Sequence, residues 1–338
     1  MIAMRLLGLV ATVGALACAS TSTALSYGWP FRPFNKQHPI RGFFGDPRTI
    51  YEDRVLARGF ETSGLFSFHQ GVDISAANGT PIYPVVSGIA HYIGTATLSI
   101  HARGDRIFQY FHIVPNVDEG QQVVAQRTVL GFVQAPFGHV HLTEIDGTHS
   151  VNPIQEGHLS PYNDHTRPTV RAALFRNPSG WRQTPRRLCG RVEIAVDAFD
   201  TPPLPTHGPF NGFPVAPALV RWSINRRNRT APATWHTAAD FRSTLPPNQH
   251  FFDIYARGTY ENAPRFGDRQ YPLMPGRYLF LLAAHFETAS LPNGDYTLAV
   301  LAADERANTV ILRQPFTVRN TRAGDCPNSP ANTRGAGT

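Results

Sequence analysis

Lysine is nearly missing from this 338-residue chain: of 31 basic residues, only Lys36 is lysine. Cysteine and methionine are also scarce, at 3 each. Charged residues make up 16%, too few to sustain the charged heptads of a coiled coil. No uncharged apolar run reaches the roughly 20 residues of a membrane span, which excludes a multi-span membrane protein. No CxxC pair points to a cysteine-based metal site. No HExxH is present, so no helical glutamate is placed to act as a base beside a metal. No internal repeat is visible, and residues 65–155 lack a convincing 3.6-residue periodicity.

Proline (29) and glycine (28) are plentiful, and 42% of residues are hydrophobic. That composition fits a loop-rich, mainly β globular protein, and the length predicts about two domains. The net charge of +7 favours an anionic partner: a cell-wall polymer, lipid head groups or nucleic acid. The charge is spread along the chain without a dense basic stripe or a nucleic-acid-binding motif. Nucleic acid is therefore not an expected partner.

Residues 1–24 read as a secretory signal, with Arg5, an apolar stretch from Leu6 to Ala19, and Ser22-Thr23-Ala24 as the cleavage site. A buried helix and lipoprotein processing at Cys18 are alternatives; for the second, Ala15 stands where a large aliphatic residue is usual. The reading predicts an exported protein, periplasmic or extracellular, with no membrane span in the mature chain. Cys189 and Cys326 then remain, and an even pair in an exported chain suggests a disulfide. Two unpaired thiols are the alternative.

Residues 25–37 form an N-terminal segment, rich like the stretch after it in Pro, Phe and Gly. Residues 38–155 make up the first domain, irregular up to about residue 50 and carrying short strands between Gly and Pro turns from about 65 to 155. Residues 156–187 are polar, with Pro161, Pro168, Pro178 and Pro185, and read as a linker or lid. Residues 188–326 change character. Val192, Ile194, Val196 and Ala198 alternate with polar neighbours, as do Val220, Trp222 and Ile224, and then Tyr296, Leu298, Val300 and Ala302. Residues 250–256, 277–284 and 310–318 are further strand candidates. So many alternating strands suggest an antiparallel β-sandwich of immunoglobulin type. Asn293-Gly294 just before Tyr296 resembles the start of a tyrosine corner. Residues 327–338 are polar and expected to be disordered.

The chemistry-bearing residues lie in the first domain. His69 and Asp73 stand four apart, His139 and His141 two apart, and Tyr110-Phe111-His112 lies between them. On a strand, positions two apart share a face, so His139 and His141 face the same way. A turn at Gly71 brings His69 and Asp73 closer. Two imidazoles and a carboxylate, with water in a fourth position, make a catalytic zinc site. One histidine of the HxH pair ligates while its neighbour reaches the water, and His112 completes the set. His91, His101, His149, His158 and His165 are expected to be structural.

In this order, the motifs resemble those of the lysostaphin-like zinc metallopeptidases, which include the β-lytic endopeptidases. The resemblance covers about residues 38–155: His38-Pro39-Ile40-Arg41-Gly42-Phe43-Phe44-Gly45, Phe68-His69-Gln70-Gly71-Val72-Asp73-Ile74, Gly79-Thr80-Pro81-Ile82-Tyr83, Ser87-Gly88, Tyr110-Phe111-His112-Ile113, Gly138-His139-Val140-His141 and Asn152-Pro153. It implies His69, Asp73 and His141 as ligands of one Zn2+ per chain, and His112 and His139 as catalytic histidines that are not ligands. Tyr110 matches a tyrosine near the site. The fold implied is a small antiparallel sheet lined by a groove, and the activity implied is endopeptidase cleavage of bacterial peptidoglycan. The family commonly continues HxH with Phe-Glu, whereas here Leu142-Thr143-Glu144 follows. Thr143 thus takes the site-facing place and Glu144 the opposite face. The segment 131–138 is short where the family often has a Gly-rich loop.

Competing readings are a catalytically latent envelope scaffold or activator of other wall hydrolases, and a non-haem iron oxygenase built on a two-His, one-carboxylate triad. The intact histidines oppose the first. The HxxxD spacing and the export signal oppose the second. The β-sandwich is expected to position the catalytic domain on the wall or on another envelope protein.

Overall fold

The computed structural model describes residues 26–49, 66–227, 234–262, 273–320 and 326. The expected signal segment, Cys18 and the 327–338 tail lie outside them. Short runs rich in β-branched and aromatic residues, cut by Gly and Pro turns, give the described residues of the first lobe thirteen strands. They are β1 (Ile40–Gly42), β2 (Pro47–Arg48), β3 (Ser67–Phe68), β4 (Val72–Ser75), β5 (Pro81–Ile82), β6 (Gly88–Gly94), β7 (Thr97–His101), β8 (Arg106–Phe111), β9 (Ile113–Pro115), β10 (Gln122–Val123), β11 (Gly131–Val133), β12 (His139–Asp146) and β13 (His149–Val151). The main antiparallel sheet runs β1-β4-β12-β8-β7-β6-β10, with β13 also paired to β12.

Alternation decides which side chains this sheet buries. Val72 and Ile74, Leu98 and Ile100, Phe108 and Tyr110, and Val140 and Leu142 fill one core at 0% exposure. Tyr27, Trp29 and Phe31 close that core. The segment 26–37 is thus tied down: Tyr27 donates its backbone N–H to the His158 carbonyl (3.0 Å) and Trp29 its indole N–H to the Pro161 carbonyl (3.0 Å).

The second lobe holds β14 (Thr169–Arg176), β15 (Arg191–Phe199), β16 (Leu219–Arg226), β17 (His236–Asp240), β18 (Leu279–Glu287), β19 (Gly294–Ala303) and β20 (Thr309–Val318). They form two antiparallel sheets, β14-β15-β18 and β17-β16-β19-β20. Val192, Ile194 and Phe280 from one sheet meet Val220, Leu298 and Phe316 from the other in a shared core. Tyr296 donates its hydroxyl to the Pro292 carbonyl (2.7 Å), closing a corner four residues upstream. Cys189 and Cys326 are joined in a disulfide. Among the described residues no helix is long and apolar enough to cross a membrane.

Three elements differ from the sequence reading, one being β17, which lies at no expected strand position. Strand β14 lies inside the stretch expected to be linker. Its alternation is broken by a register shift between Val170 and Ala172, and only Leu174 and Phe175 are buried, so the period-2 signal is lost. Residues 250–256 are not a strand but a 3-10 turn, Asn248–His250, leading into a short helix, α1 (Phe251–Ile254). Phe251 and Tyr255, four apart, are both buried, which is a helical period.

The lobes share structure. Phe44, Phe66 and Phe68, all from the first half of the sequence, belong to the core of the second lobe. Phe68 packs 5.4 Å from Phe251, 5.9 Å from Phe241 and 6.0 Å from Tyr255. Ala216 donates its N–H to Asp46 (2.6 Å), Tyr255 its hydroxyl to the Gly45 carbonyl (2.7 Å), and Asn152 its amide to the Phe241 carbonyl (2.9 Å).

Candidate metal centre

Register brings the site together. Strand β12 pairs with β4 so that His141 stands opposite Asp73 and His139 opposite Ser75. Val72, Ile74, Val140 and Leu142 take the core face, leaving Asp73, His139, His141 and Thr143 on the other face of the sheet. His69 precedes β4 in a turn whose backbone N–H donates to the Asp46 carbonyl (2.8 Å). Gly71 makes this turn possible: a Cβ there would lie 2.2 Å from the Leu142 carbonyl oxygen and 2.9 Å from His141 Nε2.

Three donor atoms converge. His69 Nε2 lies 2.7 Å from His141 Nδ1 and 3.0 Å from Asp73 Oδ1, and His141 Nδ1 lies 3.0 Å from the same oxygen. His69 Nδ1 donates to the Phe43 carbonyl at 2.8 Å. A carbonyl only accepts, so the Nε2 of the neutral ring carries a lone pair. His141 Nε2 sits 2.7 Å from Thr143 Oγ1. With that proton given to the hydroxyl, Nδ1 likewise turns a lone pair inward. Two imidazole lone pairs and a carboxylate oxygen facing one another are a ligand set for a divalent metal. The donor chemistry therefore fits the zinc ion that the motifs imply.

Electrostatics favours this state. Burial drives His69 down to about 3, with Arg48 adding to the effect, so the ring is neutral. Burial pushes the Asp73 carboxyl up, yet the group is held well below its usual range, with Arg48 the cation that stays charged beside it. Arg48 donates to the other Asp73 oxygen, Oδ2, at 2.8 Å. Gly42 leaves room for this pair, since a Cβ would stand 2.6 Å from Asp73 Oδ2 and 3.0 Å from Arg48 Nη2.

Two more imidazoles flank the cluster. His139 donates Nδ1–H to the Phe137 carbonyl (2.9 Å), which leaves its Nε2 3.5 Å from Asp73 Oδ1. His112 lies 4.6 Å from the His139 ring and stacks on Phe137 at 4.2 Å. Its backbone is left-handed, with φ 62°, a conformation uncommon outside glycine and found at functional turns. Burial lowers His112 to about 4 and His139 to about 3.

Tyr110 is not at the site. It is fully buried in the core on the opposite face, where its hydroxyl accepts the Val85 N–H at 2.8 Å. Its neighbour Phe111 faces the cluster instead, edge-on to His141 at 4.9 Å. Glu144 also lies on the opposite face, fully buried, bound by Tyr27 (2.5 Å), His158 (2.8 Å) and Arg106. His158 is thus structural, and His91 pairs with Glu119 at 2.6 Å near the surface.

The site opens into a cleft of about 490 Å³, within the usual range for ligand pockets. Sequence reading missed most of its walls. Arg41, Arg48 and Phe137 come from the first lobe, and Phe210, Asn248, Glu261 and Asn262 from the second. Arg41 stacks over the Phe210 ring at 4.2 Å. Glu261 accepts the Thr49 N–H (2.9 Å), and Asn248 accepts that of Phe68 (3.1 Å). The second-lobe positions and Arg48 carry no local sequence signal.

No family model matches the sequence, and no curated protein matches it. Solved structures do. The catalytic domain of lysostaphin from Staphylococcus simulans is 20% identical, with 26% of this chain and 77% of that chain covered, at a TM-score of 0.24. The catalytic domain of a prophage-encoded M23 protein from Enterococcus faecalis is 24% identical, with 27% and 80% covered, at 0.24. A zinc-containing peptidase from Vibrio cholerae is 18% identical, with 38% and 39% covered, at 0.28. The solved structures similar to this chain thus include lysostaphin-like M23 peptidases, the family that its HxxxD and HxH motifs resemble.

Proposed function

We propose that this chain is an exported zinc metalloendopeptidase that hydrolyses peptide cross-links of bacterial peptidoglycan. The observation that carries the reading is the convergence of the His69, Asp73 and His141 donor atoms beside two further imidazoles in one cleft. When bound, zinc supplies Lewis-acid polarisation of a peptide carbonyl and makes water acidic enough to attack near neutral pH. The chain's own residues do the rest. His69, Asp73 and His141 hold the metal, Thr143 fixes the His141 tautomer and Arg48 steadies the Asp73 carboxylate.

His139 takes the proton of the attacking water. Its Nδ1–H is tied to the Phe137 carbonyl, so the free Nε2 faces the cleft. His112, whose ring lies 4.6 Å from that of His139, receives that proton and delivers it to the departing amine, so that both rings end neutral. Phe137, stacked on His112 and edge-on to His139, covers one side of both rings. The second lobe helps shape the groove, because Phe210, Asn248 and Glu261 stand in its wall. The sheet order of that lobe, with first, second and fifth strands facing fourth, third, sixth and seventh, supports an immunoglobulin-like reading. The corner at Tyr296 agrees with it.

The test is mass spectrometry of soluble products from purified cross-linked peptidoglycan, digested with residues 25–338 and, in parallel, with the His141→Ala variant. Loss of cross-linked muropeptides with the wild type alone is expected. No products from zinc-loaded wild type would overturn the reading in favour of a latent scaffold or activator of other wall hydrolases.

A further inference from the structure

A second group of carboxylates lies where the segment joining the lobes runs against the second lobe. Asp164, Asp200 and Asp304 are 3%, 1% and 3% exposed, and one oxygen of each lies within 4.8 Å of the others. Asp164 comes from the joining segment, Asp200 follows β15 and Asp304 follows β19. Two are well supplied with donors. Asp164 accepts from the Thr166 N–H (2.8 Å), the Thr166 hydroxyl (2.6 Å) and the Tyr162 hydroxyl (3.2 Å). Asp304 accepts from the N–H groups of Arg306 and Asn308 (2.8 Å each) and from the Asn308 amide (2.7 Å).

Asp200 differs. Its Oδ1 takes the Thr201 N–H at 2.8 Å, but its Oδ2 is buried and receives no hydrogen bond. Arg306, the neighbouring cation, directs its guanidinium to the carbonyls of Tyr162 (3.0 Å), Ile154 (3.1 Å) and Glu305 (3.3 Å) rather than to the carboxylates. A small cavity of about 10 Å³ opens beside Asp200 and Asp304, close to the room that a single water-sized occupant needs. Burial, reinforced by the Asp164 and Asp304 charges, pushes the Asp200 carboxyl up to about 8. Three buried carboxylates with an oxygen left bare lack the positive charge that would balance them.

We propose that Asp164, Asp200 and Asp304 form a site for one hard divalent cation, of which calcium is the fitting member. The donors are oxygens only, which disfavours zinc and the softer metals. Bonds of about 2.3–2.6 Å from a central ion span the separation of these oxygens, and calcium accepts irregular oxygen sets that magnesium does not. The bare Asp200 Oδ2 supplies a free ligand atom. Bound there, the cation fastens the joining segment to the second lobe, beside the bonds from Thr166 to the Thr201 carbonyl (3.3 Å) and from Asn308 to the Asp164 carbonyl (3.0 Å). The site is separate from the cleft and does not depend on the peptidase reading.

The experiment uses the full chain, stripped of metal, reloaded with one equivalent of zinc, and titrated with calcium chloride. Calorimetry counts the sites and thermal unfolding reads the effect. One calcium per chain is expected, with a dissociation constant no weaker than the roughly 10⁻³ M of extracellular modules, and a rising Tm. Asp200→Asn keeps the shape and removes one charge. It is expected to bind calcium at least about tenfold more weakly and, without calcium, to melt above the wild type. Asp304→Asn provides the same comparison should the first variant not fold. No heat and no Tm shift up to about 10⁻³ M calcium would overturn the proposal. So would equal responses from wild type and variant, or a magnesium shift as large as that of calcium.

Discussion

Thr143→Val removes a hydroxyl from beside His141, one of the three proposed metal ligands, and preserves the side-chain shape. Thr143 is 2% exposed, and its Oγ1 lies 2.7 Å from His141 Nε2. Without it the His141 ring has two choices. It keeps its Nε2 proton unpaired in a buried place, at a cost of about 1–3 kcal/mol. Otherwise it moves the proton to Nδ1, the atom that faces His69 and Asp73, and stops being a ligand. Either route weakens zinc binding by about 10–100-fold, or about 1.4–2.7 kcal/mol. Competition against a chelating dye, on stripped protein, measures this directly. Thr143→Ser keeps a hydroxyl and should restore most of the affinity. A Thr143→Val protein within about twofold of wild-type zinc affinity would refute the idea that this hydroxyl holds the ligand.

Three further outcomes follow from the packing. Phe68→Ala empties a site between Phe241, Phe251 and Tyr255, and should cost about 3–5 kcal/mol in denaturant unfolding; a loss below about 1 kcal/mol would contradict the shared core. A fragment of residues 26–185 exposes Phe44, Phe66 and Phe68 and strips Asp46 of its Ala216 donor, so size-exclusion chromatography should find it aggregated; a folded monomer with full wall hydrolysis would show the second lobe dispensable. Burial pushes the Glu261 carboxyl up to about 8 from its ordinary 4.5. Because the folded-state value is raised, the contribution of Glu261 to stability is full below the unfolded value and falls as pH rises towards 8. Glu261→Gln should therefore gain Tm relative to wild type between pH 5 and about 8, and a constant difference across that window would contradict the assignment.

The meeting of His69, Asp73 and His141 was legible because Asp73 and His141 stand on adjacent strands and His69 in the turn just before β4. His141 faces Asp73 across β12 and β4, and alternation puts Thr143 on the same face. The glycine of the HQGVD motif is explained only in three dimensions, by the Leu142 carbonyl that lies against it. Tyr110 was misplaced for a local reason. An extended Tyr-Phe-His would put residues 110 and 112 on one face, but the left-handed turn at His112 breaks that parity and leaves Tyr110 in the core. Arg48 was invisible because its partner Asp73 lies 25 residues on, and their meeting depends on how β1 and β2 sit against β4. Phe210, Asn248 and Glu261 reach the cleft only through the packing of one lobe on the other. In the second lobe, strands with clean alternation were readable, whereas β14, with its register shift, and α1, with its four-residue period, were not.

The five proposed site residues divide into metal ligands and proton carriers, and zinc content tests that division most directly. Mass spectrometry of the metal bound to purified single-alanine variants should find one zinc per chain in the wild type. His112→Ala and His139→Ala should keep it while losing peptidoglycan hydrolysis. His69→Ala, Asp73→Ala and His141→Ala should lose the metal. Zinc retained in His141→Ala, or lost in both His112→Ala and His139→Ala, would contradict the assignment.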